Sequence, residues 1–499
     1  MQYETLAAVD LGSNSFHLQI GRVVEDQVYL LDGLREPVRL GAGLTRDKRI
    51  DRATQVRALA ALRRFSDRLR GLPPDAVRVV GTNTLRVAKN SRQFLAEAKE
   101  ALGFPIEVIA GREEARLIYL GVAHSLPLSR EKRLVMDIGG GSTEFIIGVG
   151  VEPVLMDSLY MGCVSYSLRY FAEGRIDKSA FKQAELAARN ELQTIVKQYT
   201  RHGWAEVVAS SGTARSIASI LEANGWSEHG ISASGLDKLK SAFLKAGEIE
   251  RLALPGLRED RASILPGGLA IMCAAVSELG LDQVGVSDAA LRQGVLYDLL
   301  GRVQKHDMRE VTVRHFMRRY HVDTAQAQRV GALAARLYRQ LHGDEGTPHG
   351  EQTLAWGAAL HEIGISIAHN GYHKHSAYII ANADMPGFSR MEQAQLARLA
   401  LAHRGKLSKL QDLSPVPGDW ELVFCLRLAS LFCRSRTDLH LPRLECELTD
   451  SGFRLLLPSD LAEERPLSAA ALADEAEEWK SIGLRLEIKA LRESSAKVA

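Results

Sequence analysis

The stretch Asp10-Leu11-Gly12-Ser13-Asn14-Ser15 decides the fold, because the chain holds a second version of it, Asp137-Ile138-Gly139-Gly140-Gly141-Ser142-Thr143-Glu144. Each copy follows a short apolar run and precedes another that is rich in β-branched or aromatic residues, which predicts a strand, a tight turn and a second strand. Glycine and small polar residues at a turn allow backbone N–H groups to approach an anion closely. The predicted phosphate-binding residues are Gly12, Ser13, Asn14 and Ser15 in the first turn and Gly139, Gly140, Gly141, Ser142 and Thr143 in the second.

The repeat is more informative than either copy. One such turn is ordinarily a glycine-rich β-turn without a ligand, whereas two copies in register favour a phosphate or nucleotide cleft between duplicated halves. Asp10 and Asp137 each stand where the first strand of a copy ends, so they would face each other across that cleft. A carboxylate beside a phosphate cradle suits Mg²⁺, which keeps much of its hydration shell. We therefore expect Mg²⁺ as the cofactor.

The composition is that of a globular chain. The 499 residues are 46% hydrophobic and 25% charged, which is ordinary, and the length predicts roughly three domains. The five cysteines form no CxxC pair, which argues against a disulfide framework or a structural zinc site. No apolar run reaches the roughly 20 residues of a membrane span, and residues 1–4 lack the features of a signal peptide. We expect a cytoplasmic protein with no stable membrane insertion and no nucleic-acid partner.

The first half alternates strands and helices, as an α/β layer does. A helix over about residues 51–70 is predicted to place Val56 and Leu59 on its buried face. A later strand leads into Gly81-Thr82-Asn83-Thr84-Leu85-Arg86, where the start of a helix and Arg86 would meet an anion. In the second half, Ser211-Gly212-Thr213 forms a third turn of small residues. We add Gly212 and Thr213 to the predicted phosphate ligands.

From about residue 305 the pattern changes to consecutive helices that carry most of the 15 histidines. Residues 411–419, with Pro415 and Pro417, are predicted to form a joint. A hairpin, a helix and a last strand are expected after it. The predicted organisation is an α/β protein of two duplicated domains, 1–130 and 131–304, followed by an all-α domain, 305–415, and a small α+β domain, 416–499.

Several stretches resemble one known family, in their order along the chain. The two turns are similar to those of the actin, sugar-kinase and heat-shock-chaperone superfamily, whose two ribonuclease H-like halves clasp a phosphate. Seven stretches of the chain resemble the exopolyphosphatase and guanosine-pentaphosphate phosphohydrolase family. The helical region around His361-Glu362-Ile363-Gly364 resembles that family too. The stretches are Ala7–His17, Thr82–Arg86, Glu113–Ile118, Asp137–Glu144, Met161–Val164, Ser211–Thr213 and Asp288–Gly294.

The resemblance implies two actin-like domains, hydrolysis of terminal phosphoanhydride bonds with Mg²⁺, and a homodimer. It identifies Glu114 as the general base and Arg86 as the phosphate-binding arginine. The expected metal ligands are Asp10, Asp137 and Glu144. Without the resemblance, Glu114 is more simply a carboxylate that stabilises a helix start, and Arg86 a surface arginine. The chemistry agrees, because phosphoryl transfer requires mainly charge neutralisation and a positioned water, and the planar arginine fork suits phosphate oxygens.

The histidine-rich region resembles an HD-type phosphohydrolase domain, whose metal site uses a histidine, a His-Asp pair and a further aspartate. His349, His361-Glu362 and His403 have suggestive spacing, but the pair contains glutamate, and Asp384 is not obviously placed as a ligand. The glutamate arm is longer by about a methylene, and metal sites tolerate little misplacement. We therefore favour an HD-like domain that has lost its metal.

The leading functional interpretation is an exopolyphosphatase, which releases orthophosphate from the end of inorganic polyphosphate. The alternative is guanosine-pentaphosphate 5′-phosphohydrolase, which performs the same reaction at a nucleotide end. Gly141 favours polyphosphate, because the nucleotide branch of the family tends to carry alanine in that turn. A sugar-kinase-like transferase would need an acceptor pocket and an adenosine site. An ATP-driven chaperone would need a client-gripping β-sandwich, which the helical second half does not offer.

Overall fold

The computed structural model describes residues 3–24, 27–127, 130–303, 307–343, 348–410, 418–437, 444–461 and 465–491. The chain divides into two compact units. The first comprises residues 1–308 together with 386–390, and the second comprises 309–385 and 391–499. The predicted joint at Pro415 and Pro417 lies outside the described residues. No helix in the described ranges is both long and apolar enough to cross a membrane.

The first unit repeats one topology in two sheets. Its strands are β1 (Thr5–Leu11), β2 (Phe16–Val24), β3 (Gln27–Glu36), β4 (Val77–Gly81), β5 (Ile106–Val108), β6 (Lys132–Ile138), β7 (Thr143–Val149), β8 (Glu152–Leu159), β9 (Glu206–Ser210), β10 (Ile231–Ser232) and β11 (Gln283–Val286). The strand orders are β3-β2-β1-β4-β5 and β10-β11-β9-β6-β7-β8. β1 pairs antiparallel with β2 and parallel with β4, and β6 pairs in the same two ways with β7 and β9. The predicted α/β fold with duplicated halves is therefore confirmed.

Helices surround these sheets. They are α1 (Arg52–Leu69), α2 (Asn83–Val87), α3 (Ser91–Leu102), α4 (Gly111–Ser125), α5 (Cys163–Tyr170), α6 (Lys178–Leu192), α7 (Val196–His202), α8 (Ser211–Ala223), α9 (Ala233–Ala246), α10 (Glu259–Ala262), α11 (Leu265–Leu279) and α12 (Leu291–Val303). The side chain of Asp51 caps α1 by accepting from the N–H of Thr54, as the predicted boundary requires. The placement of Val56 on the buried face was wrong, because Val56 is 53% exposed and the small Ala58 lies inside.

Helices α4 and α12 cross at a pair of glycines. A Cβ on Gly294 would stand 1.7 Å from the carbonyl oxygen of Leu117, and a Cβ on Gly121 would stand 2.2 Å from the carbonyl oxygen of Ala290. The helices approach this closely because neither glycine carries a side chain. Residues of both sheets pack into the core around this crossing. The contact fixes the start of α4, which carries Glu114, relative to both sheets.

The second unit joins helices and a small sheet around one core. From residue 308 on, the elements are α13 (Met308–Arg319), α14 (Thr324–His342), α15 (Pro348–Leu360), α16 (Tyr372–Asn382), α17 (Arg390–Ala402), α18 (Asp419–Phe432), β12 (Glu445–Thr449), β13 (Gly452–Leu457), α19 (Pro466–Lys480) and β14 (Arg485–Ala490). The rings of Phe424 and Phe453 stack with centroids 4.2 Å apart, and Trp479 lies 5.0 Å from Phe453. Arg427 on α18 donates to Glu475 on α19 over 2.6 Å. Helix α18 therefore shares its core with the strands that follow.

Two buried histidines occupy the centre of the helical part. The Nδ1 atoms of His361 and His403 bond to the backbone carbonyls of Ala358 and Ala400, each over 2.7 Å, and the two rings are 4.9 Å apart. Glu362 is held by Arg436 over 2.6 Å. Among the residues described, no group of three or more His, Cys, Asp or Glu side chains is placed to hold a metal ion. The likeness to an HD-type domain stays a prediction.

The buried histidines predict that the second unit loses stability in acid. Burial lowers the pKa of both side chains, and for His403 the neighbours His361, His373 and Lys409 lower it further. The folded state therefore keeps them neutral, while the unfolded chain binds protons near its usual pKa of about 6.5. This stability is complete above that pH and is lost as the pH falls towards the lowered values.

The measurement is the midpoint of urea unfolding between pH 7.5 and 5. The variant His403→Gln should show a shallower loss of stability with acidification than the parent, whatever its absolute stability. The matched control is His315→Gln, since His315 is exposed on α13. An equal pH slope in the parent and His403→Gln would contradict the prediction.

Candidate active site

The two predicted phosphate-binding turns contact each other. A Cβ on Gly140 would stand 2.9 Å from the Cβ of Ser13, and a Cβ on Gly162 would stand 2.4 Å from the backbone of Gly140. The hydroxyl of Thr84 donates to the hydroxyl of Ser13 over 2.8 Å. Such contacts leave no room for a side chain at position 140. The lack of a side chain at Gly140 therefore allows the two halves to come close together, in addition to its predicted role in binding an anion.

Backbone N–H groups of both turns remain available to a ligand. In the described part of the chain, hydrogen-bond acceptors are lacking for the N–H groups of Ser13, Asn14, Gly140 and Gly141. The hydroxyl of Ser15 is also buried without a partner among the described residues. A concave row of such donors binds phosphate without any charged side chain. These free donors are compatible with a phosphate cradle, which stays a prediction.

Three of the predicted phosphate ligands are already bonded within the protein. The N–H of Gly139 donates to the carbonyl of Ser142 over 2.9 Å. The hydroxyls of Thr143 and Thr213 donate to backbone carbonyls over 2.6 and 3.0 Å. Buried carbonyls beside a turn require such donors. These hydrogen bonds shape the turns, and the role of the three residues as phosphate ligands stays a prediction.

The predicted base and the predicted phosphate-binding arginine bind each other. Glu114 is buried in the first turn of α4. Arg86, on α2, donates to Glu114 Oε2 over 2.6 Å and to the carbonyl of Ile109 over 3.0 Å. Although burial acts in the opposite direction, the Glu114 carboxylate raises the pKa of Arg86. The sequence predicted the two residues separately, and their pairing is new information from the structure.

Two of the three predicted metal ligands have incomplete hydrogen bonding. Among the described residues, Asp10 Oδ1 is buried without a partner, and Glu144 Oε2 lacks a well-formed hydrogen bond, whereas Asp137 accepts from the hydroxyl of Ser210. Asp137 and Glu144 face each other in the register of β6 and β7. Burial raises the pKa of Asp10 to about 7 and that of Asp137 to about 6, and it raises the pKa of Glu144 well above its usual range. The nearby carboxylate of Glu114 contributes to all three increases.

Such carboxylates fit a hard divalent cation, whose charge offsets their burial and mutual repulsion. The residues that the structure describes contain no ready group of three or more metal-binding side chains. Asp10 belongs to the first half of the unit, whereas Asp137 and Glu144 belong to the second. Mg²⁺ is commonly held by one or two carboxylates together with waters and substrate phosphates. The observed arrangement is compatible with that kind of site.

Four arginines that the sequence did not assign to the site surround His17. Burial lowers the pKa of His17 to about 3, and all four positive charges lower it further. The side chains of Arg261 and Arg292 form neither an ion pair nor a hydrogen bond with any described residue, and the charge of Arg292 also acts on Asp10. The arginine cluster comprises Arg35, Arg215, Arg261 and Arg292.

The local surroundings neutralise the arginine cluster only in part. Arg35 pairs with Asp260 over 2.7 Å and Arg215 with Asp288 over 3.5 Å, but Arg35 Nε is buried without a partner among the described residues. Burial lowers the pKa of Arg261 and of Arg292, and repulsion from the other arginines lowers it further, although neighbouring acidic groups act in the opposite direction. Arg261 also lies against Gly212, where a Cβ would stand 2.1 Å from its guanidinium. Arg292 belongs to one of the recognised stretches, whereas the other three arginines belong to none and only the fold collects them.

A cavity of about 790 Å³ adjoins the first turn. Residues of both halves of the first unit line the cavity, and Asn14 is among those of the first half. Carboxylates outnumber arginines in its lining, so the cavity suits a polyanion less well than the arginine cluster does. Its charged lining residues are Arg39, Glu173, Arg175, Glu248, Glu250 and Asp260.

Known proteins resemble this chain in sequence and in fold. The model of the Ppx/GppA phosphatase family matches residues 19–303, and that of Ppx/GppA phosphatase, domain III, matches residues 308–476. The crystal structure of an exopolyphosphatase from Cytophaga hutchinsonii is 26% identical over 60% of this chain and 98% of its own, with a TM-score of 0.54. A structure of the Aquifex aeolicus PPX-GPPA enzyme is 25% identical over 59% of this chain and 98% of its own, with a TM-score of 0.50.

The chain therefore belongs to the Ppx/GppA phosphatase family. The fold of its first unit is the actin-like fold of that family, as the sequence predicted. The resemblance based on the two turns and the neighbouring motifs is confirmed.

The pairing of Glu114 with Arg86 predicts how a conservative change at the base behaves. Glu114→Gln keeps an acceptor for Arg86 but cannot take a proton, so kcat should fall by about 10² or more while KM changes only a few-fold. Steady-state phosphate release gives both parameters. Glu100→Gln, on the solvent side of α3, is the control and should match the parent. Retained kcat in Glu114→Gln would assign the base to another residue, with Glu144 the next candidate.

Proposed function

We propose that the protein hydrolyses the terminal phosphoanhydride bond of inorganic polyphosphate and releases orthophosphate. The observation that supports this proposal most is the arginine cluster, because the half-buried guanidinium groups of Arg261 and Arg292 have no ion-pair partner among the described residues. Such groups favour a ligand with many negative charges. The free N–H groups of the two turns add donors for phosphate oxygens. A neutral or singly charged substrate would leave most of these groups unsatisfied.

In the proposed reaction, the substrate competes with Glu114 for Arg86. The terminal phosphate takes hydrogen bonds from Arg86, and the Glu114 carboxylate is released to orient a water and accept its proton. The water oxygen forms a bond to the terminal phosphorus, and the bond from that phosphorus to the bridging oxygen breaks. The shortened chain leaves with the bridging oxygen and its negative charge. Catalysis of this kind depends mainly on positioning and charge stabilisation.

Mg²⁺ is the proposed cofactor. The side chains that would hold it, directly or through waters, are those of Asp10, Asp137 and Glu144. When bound, it would neutralise charge on the phosphate oxygens. The incomplete hydrogen bonding of Asp10 and Glu144 supports this part of the proposal, since an unpaired buried carboxylate is costly without a compensating cation.

Guanosine pentaphosphate is the alternative substrate, and the cavity beside Asn14 favours it. A space of about 790 Å³ is within the usual size of a small-ligand site, roughly 300–1,000 Å³. Carboxylates such as Glu173, Glu248 and Glu250 accept hydrogen bonds of the kind that the N–H groups of a guanine edge offer. The terminal phosphate would be hydrolysed by the same residues.

One assay separates the two substrates. The purified protein is given long-chain polyphosphate or guanosine pentaphosphate at equal concentrations of terminal phosphate, and orthophosphate release is followed. We expect kcat/KM to be higher for polyphosphate, with loss of one phosphate at a time. Release from guanosine pentaphosphate alone would establish the alternative. Light scattering on the same sample tests the homodimer that the family resemblance implies.

The metal ligands are tested without turnover. Asp137→Asn and Glu144→Gln should each reduce the rise in melting temperature that Mg²⁺ causes in the absence of substrate, because each removes one charged oxygen ligand or the water that it holds. The activity of both variants should require more Mg²⁺. Asp75→Asn, an exposed change, is the control. Parent-like Mg²⁺ titrations by both methods would exclude these carboxylates from the metal site.

A further inference from the structure

A five-residue segment far along the chain belongs to the first unit. Residues 386–390, Pro386-Gly387-Phe388-Ser389-Arg390, group with it although the residues on either side belong to the second unit. Phe388 and Ser389 are 2% and 1% exposed. Gly387 has a φ of 88°, a backbone conformation that side chains other than glycine rarely adopt. The segment is therefore a built part of the first unit.

Buried charges hold this segment at the start of α4. The N–H of Gly387 donates to Glu113 Oε2 over 2.8 Å, and Arg302 donates to the carbonyl of Gly387 over 2.9 Å. Glu113 is itself fixed by two bonds from Arg116, each of 2.8 Å. Charge-assisted hydrogen bonds to both the N–H and the carbonyl of one residue define its position closely. The anchor is the residue directly before Glu114, the proposed base.

The segment ends in an arginine without a partner. Arg390 is exposed, and within the described ranges it makes no hydrogen bond or ion pair. Partial burial lowers the pKa of Arg390, and the positive charge of Arg86 lowers it further. Arg390 is thus close enough to Arg86 to be repelled by it. Tyr160, which is 75% exposed, acts on both arginines.

The like charges of Arg86 and Arg390 repel each other in the protein alone. Arg86 is compensated by Glu114, whereas no described carboxylate pairs with Arg390. The arginine cluster acts on His17 and supplies positive charge from other elements. Arg390 therefore adds a second cation near Arg86. A phosphate group between two guanidinium groups removes this repulsion and satisfies both.

We propose that Arg390 is a substrate-binding residue that, together with Arg86, grips the phosphate oxygens at the reacting end of the substrate. The inference rests on the proposed function for the identity of the substrate, but the chemistry requires only an oligophosphate end. Glu113, Gly387 and Arg302 act through Arg390 and are positioning residues. Arg390 lies in none of the sequence stretches on which the family resemblance was based.

The test compares Arg390→Gln, Arg390→Lys and the control Arg63→Gln, which removes an exposed charge on α1. Arg390→Gln should raise KM for tripolyphosphate about tenfold or more, the loss expected for a charge-assisted hydrogen bond, while kcat stays within a few-fold. The slope of log KM against log salt should decrease by about one. Arg390→Lys keeps the charge without the planar fork and should give an intermediate KM. Arg63→Gln should match the parent.

A second readout does not depend on turnover. In EDTA, the rise in melting temperature caused by tripolyphosphate should be smaller for Arg390→Gln than for the parent and Arg63→Gln. Identical KM, salt slope and melting shift in Arg390→Gln and Arg63→Gln would overturn the proposal. If the parent fails to hydrolyse polyphosphate, the proposed function fails. The melting shift with tripolyphosphate still decides whether Arg390 binds an oligophosphate end.

Discussion

The contact between the two glycine-rich turns is the constraint on which the site depends. Gly140 approaches Ser13 so closely that a Cβ would stand only 2.9 Å away. This contact brings the ends of β1 and β6 together, and with them Asp10 and Asp137. The contact also brings free N–H groups of both halves close together, and neither half alone offers this set of donors. The crossing of α4 and α12 at Gly121 and Gly294 serves the same geometry, because it fixes the helix that carries Glu114.

Buried charges in the first unit fall into two groups with different meanings. Arg78, Arg116, Glu113 and Asp298 satisfy one another, and the Arg78 and Arg116 guanidinium groups hold the pKa of Asp298 below its usual range despite burial. By contrast, among the described residues Asp10 Oδ1 accepts no hydrogen bond, and the side chains of Arg261 and Arg292 form neither a hydrogen bond nor an ion pair. An unsatisfied buried polar group costs about 1–3 kcal/mol, and such groups concentrate where a ligand completes them. The first group stabilises the fold, and the second marks the place where we propose that the substrate and its cation bind.

The parts of the site that sequence could predict are those encoded by local patterns. The strand–turn–strand repeats were recognisable because alternation and glycine act over a few residues, and Glu114 and Arg86 followed from the family motifs. The pairing of Arg86 with Glu114 and the clustering of Arg35, Arg261 and Arg292 depend on contacts between distant segments, which no local pattern encodes. Thr143 has the residue type of a phosphate ligand, but its hydroxyl satisfies a buried carbonyl. The prediction that Val56 is buried was wrong for a related reason, because the smaller Ala58 packs on the inner face of the helix.

The central claim is that water attacks the terminal phosphorus of a polyphosphate chain. Hydrolysis in ¹⁸O-labelled water, followed by mass analysis of the products, tests it most directly. We predict that each released orthophosphate carries one ¹⁸O atom from water and that the remaining chain carries none. Label at the new end of the remaining chain would show attack on the next phosphorus, and it would contradict the assignment of Glu114 and Arg86 to the terminal phosphate.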